Sequence, residues 1–273
     1  MSSAELSTRE VQLRCLAVLK AFDAVCRENH LNYYLSGGTL LGAIRHRGFI
    51  PWDDDVDVMM PRADYMRLLD VPMSDPRYAM FSAEKCADYC RAWARMTDTR
   101  TRTQQVGLFD GDTDGIYIDI FPIDGMPAGK LASRLFFARL RLLDVLCKFP
   151  RRKRISSVER WRTAKILLRA LLGWLPLDTH ALALRMNRVA QKQPYETRDF
   201  RGVSMTTHYG ARERMPAEVF DHAVDVEFEG LKLPAPCGWD FYLTRLYGDY
   251  MQLPPEHARA SEHSASYAKT AEE

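Results

Sequence analysis

The sequence lacks several features that would mark a membrane, secreted or repetitive protein. No apolar run approaches the roughly 18 residues of a membrane span, and no internal repeat or low-complexity tract occurs. The first residues show no basic stretch followed by an apolar run, so no signal peptide is expected. The six cysteines are then most simply free thiols of a cytoplasmic protein.

The chain also lacks a strong charge of one sign. Its 38 basic and 36 acidic residues leave a formal charge of +2, which argues against a general nucleic-acid binder. With 273 residues, 47% of them hydrophobic, it is long enough for one large globular domain with an insertion. We expect a catalytic core in residues 1–130, a helical insertion in 131–200, and a C-terminal hairpin and helix in 201–273 that complete the core.

Four aspartates crowd between positions 53 and 57, in a stretch that otherwise reads as a strand. In an extended chain, Asp53, Asp55 and Asp57 would share one face, while Val56 and Val58 would face a core. Neighbouring carboxylates repel each other unless a cation neutralises them. Hard divalent cations prefer such oxygen ligands, and Mg²⁺ sites typically add substrate phosphates. The run therefore predicts a site for Mg²⁺ or Mn²⁺ and phosphoryl chemistry.

A second strand is predicted over residues 115–122, where Ile116, Ile118 and Ile120 alternate with other side chains. Asp119 is a lone carboxylate in this apolar strand, and burying it without a partner would cost free energy. Two partners remain open. Asp119 either joins Asp55 and Asp57 around the same cation, or it pairs with an arginine or a nearby backbone group.

A glycine turn, Ser36-Gly37-Gly38-Thr39, separates a short strand at 32–35 from a helix predicted over 40–45. Glycines let the backbone approach a phosphate closely, and a helix N-terminus supplies free N–H groups. Arg45 follows, where its guanidinium would either meet phosphate oxygens or belong to a solvated basic loop.

The order of these elements is that of the nucleotidyltransferase (polymerase-β-like) fold. We therefore predict an α+β protein whose mixed sheet is flanked by helices and interrupted by a helical insertion. Further elements are indicated by local patterns. They are a capping box at Ser7 and Glu10 opening a helix to about Asn29, a helix starting at Pro61, strands within 78–110, a strand-turn-strand over 226–233, and a helix over 239–247.

Three ordered motifs closely resemble the LicD family, the bacterial phosphocholine transferases distantly related to fukutin and fukutin-related protein. The first motif covers residues 35–46 (LSGGTLLGAIRH) and 49–58 (FIPWDDDVDV). The second is 118–124 (IDIFPID), and the third combines 228–236 (FEGLKLPAP) with 246–255 (LYGDYMQLPP). The resemblance spans most of residues 10–257, while residues 131–200 match no motif.

The resemblance implies transfer of a phospho-alcohol, most simply phosphocholine, from a CDP-linked donor such as CDP-choline to a glycan or lipid-linked glycan hydroxyl, with release of CMP. It implies Asp55 and Asp57 as metal ligands, Asp119 as the third carboxylate, and Gly37 and Gly38 at the donor phosphates. Asp53 would be an additional or outer-sphere ligand. The alternatives are a nucleotidyltransferase that attaches the nucleotide itself, and a degenerate, non-enzymatic nucleotide-binding module.

Five aromatic residues lie in or near the matching motifs, and a quaternary ammonium group favours an aromatic cage. These candidates for substrate binding are Trp52, Tyr117, Trp239, Tyr247 and Tyr250. Each is equally consistent with ordinary core packing.

The insertion is rich in leucine and arginine. Arginines interrupt a broad apolar surface that consists of Leu131, Leu135, Phe136, Leu140, Leu142, Leu143 and Leu146. A basic cluster follows at 151–154, and a second leucine-rich helix is predicted over 166–172. Basic amphipathic helices bind anionic interfaces, although leucine-rich helices of globular proteins more often pack against a core. From the combination of leucine and arginine, we expect peripheral contact with the inner face of a membrane or with a lipid-linked glycan; the alternative is ordinary packing of these helices.

Overall fold

The computed structural model describes residues 6–103, 115–148, 170, 177–206, 209–256, 259 and 267–269. The predicted fold class is confirmed, because these residues form an α+β fold around a mixed seven-stranded sheet. No helix among them is long and apolar enough to cross a membrane. The six cysteines are free thiols.

The strands are β1 (Tyr34–Leu35), β2 (Asp57–Pro61), β3 (Tyr78–Phe81), β4 (Ala94–Asp98), β5 (Thr101–Thr103), β6 (Tyr117–Gly125), β7 (Phe200–Val203), β8 (Met215–Pro216), β9 (Ala223–Phe228), β10 (Leu231–Pro236) and β11 (Tyr267–Lys269). The α-helices are α1 (Thr8–Glu28), α2 (Gly37–His46), α3 (Arg62–Leu68), α4 (Lys130–Lys148), α5 (Thr179–Gln191) and α6 (Trp239–Tyr247). Two 3₁₀ helices are η1 (Gly210–Glu213) and η2 (Ala217–Phe220).

The central sheet has the strand order β1-β2-β6-β4-β3, and β7 extends it from β6 and pairs with β8. Only the β2–β6 pair is parallel among the sheet's described strand pairs. Both strands of this pair are flanked by other strands of the sheet, and their apolar side chains are buried in the core. Val58 and Ile120, which are register partners, are fully buried.

Local sequence signals account for many of the element boundaries. Ser7 accepts a hydrogen bond from the Glu10 N–H, and Glu10 returns one to the Ser7 backbone, so the predicted capping box opens α1. Asn29 caps the C-terminus of α1, where the helix was expected to end. Pro61 is the N-cap of α3, as predicted, because proline is compatible with a helix start but not with its interior.

The strands predicted over 32–35, 115–122 and 226–233 have ends that differ by two or three residues from the observed β1, β6 and β9–β10, and two further predicted boundaries beside the aspartates are also wrong. Helix α2 begins at Gly37, so the two glycines form its first turn rather than a separate turn before it. Strand β2 begins only at Asp57, so Asp53 and Asp55 precede the strand instead of sharing its face. The chain turns there because the Asp53 N–H donates to the Ile50 carbonyl, and the buried Gln12 side chain donates to the carbonyls of both residues.

The described part of the insertion consists of α4 and α5, which pack against each other. The predicted apolar surface of α4 divides into two faces. Phe136, Leu140 and Leu143 are buried, whereas Leu131 and Leu142 lie on the exposed side together with Leu135. Burial of one face is what an amphipathic helix requires to stay attached to the core. The basic cluster at 151–154 and the helix predicted over 166–172 lie outside the described residues, apart from Ala170.

The C-terminal part contains the predicted hairpin, formed by β9 and β10, and the predicted helix, α6. Helix α6 contacts α2, which brings the C-terminal region against the glycine-containing helix start. Residues 104–114, which include the end of a predicted strand region, lie outside the described residues.

Candidate active site

Three charged side chains lie in one row across the centre of the sheet. Asp57 on β2 is the register partner of Asp119 on β6, and Asp119 is in turn the partner of Arg95 on β4. Directly opposed residues of paired strands point to the same face of a sheet. Strand register therefore brings the two predicted carboxylates together, although 62 positions separate them in the sequence (119 minus 57).

Asp119 forms an ion pair with Arg95. The Arg95 Nε donates to Asp119 Oδ1 at 2.6 Å, and Nη2 lies 3.4 Å from Oδ2. The side chains are 4% and 13% exposed, so little water screens the pair. Burial alone would lower the pKa of Arg95, but the charge of Asp119 raises it well above its ordinary value. Of the two partners considered for Asp119, the structure contains the arginine.

The Arg95 guanidinium also lies over the Tyr117 ring, 3.5 Å from its centroid. One face of that ring is thus already in contact with a cation. Sequence reasoning missed Arg95, although a signal was present. It is a charged residue between two apolar ones, Ala94 and Met96, as Asp119 is between Ile118 and Ile120.

The start of α2 lies directly against the aspartates. Gly37 has a φ of +51°, and a Cβ on it would lie 3.3 Å from Asp57 Oδ2. A Cβ on Gly38 would lie 2.9 Å from Asp53 Oδ2, closer than real Cβ atoms come. With glycine at both positions, the N-terminus of α2 and its favourable dipole lie beside these carboxylates without a close Cβ contact.

Hydrogen bonds hold this helix start in place. Thr39 Oγ1 accepts from the Asp57 N–H at 2.8 Å, which ties α2 to the first residue of β2. The Gly37 N–H donates to Tyr242 Oη at 3.3 Å, and the Ser36 hydroxyl lies 3.1 Å from the same oxygen. Ser36, Gly37 and Thr39 thus have structural partners, and their predicted contact with donor phosphates stays a prediction.

Arg45, the predicted phosphate-binding cation, bonds to protein groups. Its Nη1 donates to the Tyr250 and Gln252 carbonyls at 2.8 and 3.3 Å, and its Nε donates to His46 Nε2. Burial lowers the pKa of Arg45. These contacts attach the end of α2 to the segment after α6, and the phosphate-binding role is untested.

Among the described residues, no group of three or more histidine, cysteine or carboxylate side chains is placed to hold a metal ion. The donor set nevertheless fits a hard cation, because its members are carboxylates beside a glycine cradle that any Cβ would fill. Mg²⁺ commonly uses one or two carboxylates and completes its shell with water and substrate phosphates. Asp53 and Asp57, which lie against the glycines, would supply such carboxylates, whereas ligation by Asp55 and Asp119 is untested, and the metal site stays a prediction.

Two of the five candidate aromatic residues have described contacts at this site. The Tyr247 hydroxyl lies 3.6 Å from the position of a Cβ on Gly37, and Tyr117 lies under Arg95. Trp52 packs beside His46. Trp239 begins α6 and packs against the core, and the Tyr250 hydroxyl donates to Asp240.

Three further residues near the helix start escaped sequence reasoning. Tyr242 bonds to the glycine turn, and Tyr209 donates a hydrogen bond to Tyr247. Glu213 is 1% exposed, and burial raises the pKa of its carboxyl group to about 7. No local pattern distinguishes these residues, because only the packing of α6 and η1 brings them to the site.

Comparison of the sequence with known proteins shows the family of this chain. Residues 30–132 match the family model described as LicD/FKTN/FKRP, nucleotidyltransferase domain. The chain is 37% identical over 272 residues to the lipopolysaccharide cholinephosphotransferase LicD of Haemophilus influenzae, covering 95% of this chain and 97% of that protein. An uncharacterized protein of Rickettsia prowazekii is 32% identical over 75 residues, or 27% of this chain and 28% of its own. The protein therefore belongs to the LicD family.

Proposed function

We propose that this protein is a phosphotransferase that moves phosphocholine from a CDP-linked donor to a glycan hydroxyl and releases CMP. The relative from Haemophilus influenzae, alike over nearly the whole chain, is a lipopolysaccharide cholinephosphotransferase. The observation that carries the proposal is the contact between the N-terminus of α2 and the carboxylates of Asp53 and Asp57. Such a site combines groups that attract phosphate oxygens with groups that attract a cation.

The donor pyrophosphate would lie between Gly38 and Asp57. Apart from the Gly37 N–H, which donates to Tyr242, the N–H groups of the first turn of α2 would face its oxygens, because the first N–H groups of a helix have no partner within the helix. Bound Mg²⁺ or Mn²⁺ would neutralise the pyrophosphate charge that opposes nucleophilic attack.

In the proposed reaction, the acceptor hydroxyl oxygen attacks the phosphorus that carries choline. The bond between this phosphorus and the oxygen bridging to CMP breaks, and CMP leaves with that oxygen. Asp119 would take the proton of this hydroxyl group, because its carboxylate lies next to Asp57 in the sheet. Arg95 would keep the Asp119 side chain in one orientation through its two contacts.

The experiment is to incubate the protein with CDP-choline, Mg²⁺ and a lipopolysaccharide-type glycan, and to follow the nucleotide and the glycan mass. Release of CMP with addition of phosphocholine to the glycan is expected. Attachment of the cytidine nucleotide to the acceptor would instead indicate a nucleotidyltransferase. Donor binding without any turnover would indicate a nucleotide-binding module.

The acceptor glycan is proposed to be lipid-linked and presented at a membrane surface. The outer side of α4 carries Leu131, Leu135 and Leu142, which are 71%, 63% and 59% exposed. Arg134 and Arg139 lie on the same exposed side, and Asp144, the acidic residue of α4, is buried and paired with Lys148. An exposed face of leucine and arginine suits an anionic lipid interface.

A further inference from the structure

We infer that Tyr209 and Tyr247, together with the buried carboxyl group of Glu213, form the subsite for the quaternary ammonium group of the donor. This inference rests on the proposed function. It assigns the part of the site that distinguishes choline from other alcohols.

Tyr209 and Tyr247 form an aromatic corner. Their ring planes meet at 84°, their centroids are 5.8 Å apart, and the Tyr209 hydroxyl donates to the Tyr247 hydroxyl at 2.9 Å. Both side chains are half-buried, so the corner is neither sealed in the core nor freely solvated. Two ring faces at a right angle can contact one cation at the same time, which is the basis of aromatic cages.

The aromatic corner lies next to Gly37, at the start of α2. The Tyr247 hydroxyl is 3.6 Å from the position of a Cβ on Gly37, and Asp57 Oδ2 is 3.3 Å from the same position. The place proposed for the donor phosphates therefore borders the corner. In phosphocholine only two carbons separate the phosphate ester oxygen from the nitrogen. A phosphate bound at the start of α2 would thus leave its ammonium group close to the rings.

Glu213 adds a buried carboxyl group from η1, which packs against α6, the helix that carries Tyr247. It ends η1, which directly follows Tyr209, and the neighbouring Arg212 Nη1 donates to the Leu246 carbonyl of α6 at 3.2 Å. Glu213 Oε1 accepts from Thr206 Oγ1 at 2.7 Å, while Oε2 has no hydrogen-bond partner among the described residues. A buried carboxylate without a counter-charge costs free energy, and a bound cation beside it would offset that cost.

This set of groups matches a quaternary ammonium ion better than a primary one. A quaternary nitrogen has no N–H group, so it needs charge and ring faces rather than hydrogen-bond acceptors. A primary ammonium group has three donors and is strongly hydrated, and two rings cannot replace its water. The corner would therefore favour CDP-choline over CDP-ethanolamine.

The test compares Tyr209→Leu and Tyr247→Leu with the matched controls Tyr209→Phe and Tyr247→Phe, which keep the rings. The measured quantity is the ratio of kcat/KM for CDP-choline to that for CDP-ethanolamine. We expect about a tenfold fall of this ratio in each leucine variant, from the loss of one cation–π contact, and a retained ratio in the phenylalanine variants. An unchanged ratio in leucine variants that keep the wild-type circular dichroism would overturn the assignment.

A second measurement needs neither turnover nor a metal. Tetramethylammonium chloride should bind the wild-type protein in NMR titrations and shift tyrosine signals, and Glu213→Gln should weaken this binding several-fold. If leucine variants do not fold, this titration decides alone, and absence of saturable tetramethylammonium binding would refute the subsite. Turnover of neither CDP donor, with tetramethylammonium still bound, would instead count against the proposed function.

Discussion

Asp119→Asn should destabilise the protein markedly, whereas the same change at Asp57 should not. The substitution keeps the side-chain size but leaves the Arg95 guanidinium, 4% exposed, without its counter-charge. If repulsion between the carboxylates were the only effect, Asp119→Asn would stabilise the protein, because it removes one of several neighbouring negative charges. The ion pair decides the sign, because an unpaired buried charge costs more than moderate repulsion between partly solvated carboxylates.

The magnitude follows from the burial of the pair. Removing one partner of a fully buried ion pair costs about 3–5 kcal/mol. Asp119 is 13% exposed, and asparagine can still accept one hydrogen bond from Arg95, so we expect about 2–3 kcal/mol. For a chain of this size, that loss corresponds to a fall in Tm of roughly 5–10 °C.

The assay is urea unfolding and thermal melting of wild type, Asp119→Asn, Arg95→Met and the double variant Arg95→Met/Asp119→Asn, all without metal. The double variant should lose less than the sum of the single losses, because it leaves no charge unpaired. A melting temperature of Asp119→Asn within about 2 °C of wild type, or strictly additive losses, would refute the reasoning.

Three further outcomes are expected. Asp57→Asn should abolish metal-dependent CMP release with little change in Tm. The matched control Asp54→Asn makes the same charge change outside the predicted ligand set and should keep most of the activity. Equal losses of activity in the two variants would contradict the assignment of Asp57 as a ligand. Burial raises the folded-state pKa of Glu213 from 4.5 to about 7, so the folded chain binds more protons than the unfolded chain in that window, and wild-type stability is lost as the pH rises through it. Glu213→Gln should therefore gain on the order of 3 kcal/mol relative to wild type between pH 4.5 and pH 8 in urea unfolding, and a constant difference would disprove this. Finally, Leu135→Ser combined with Leu142→Ser should reduce co-sedimentation with anionic liposomes at low salt, and an unchanged bound fraction, with neutral liposomes as the control, would leave α4 without a membrane role.

Much of the fold could be predicted because its signals are local. The capping box of Ser7 and Glu10, the proline at the start of α3 and the β9–β10 hairpin depend on residues a few positions apart. Alternation placed Val56 and Val58 in the core, where both are fully buried. The predicted start of β2 is wrong because a distant group decides it, since Gln12 holds the turn before the strand.

The sequence by itself identified the candidate site residues, namely the glycines at the start of α2 and the aspartates that follow, and it indicated the LicD family that the comparisons confirm. Only the tertiary structure decided how these residues are paired. Strand register placed Asp119 between Asp57 and Arg95, and the packing of α6 brought Tyr242 and Tyr247 to Gly37. Such pairings depend on contacts between segments far apart in the chain, so no local periodicity predicts them, and they determine which charged side chains lie next to a buried carboxylate.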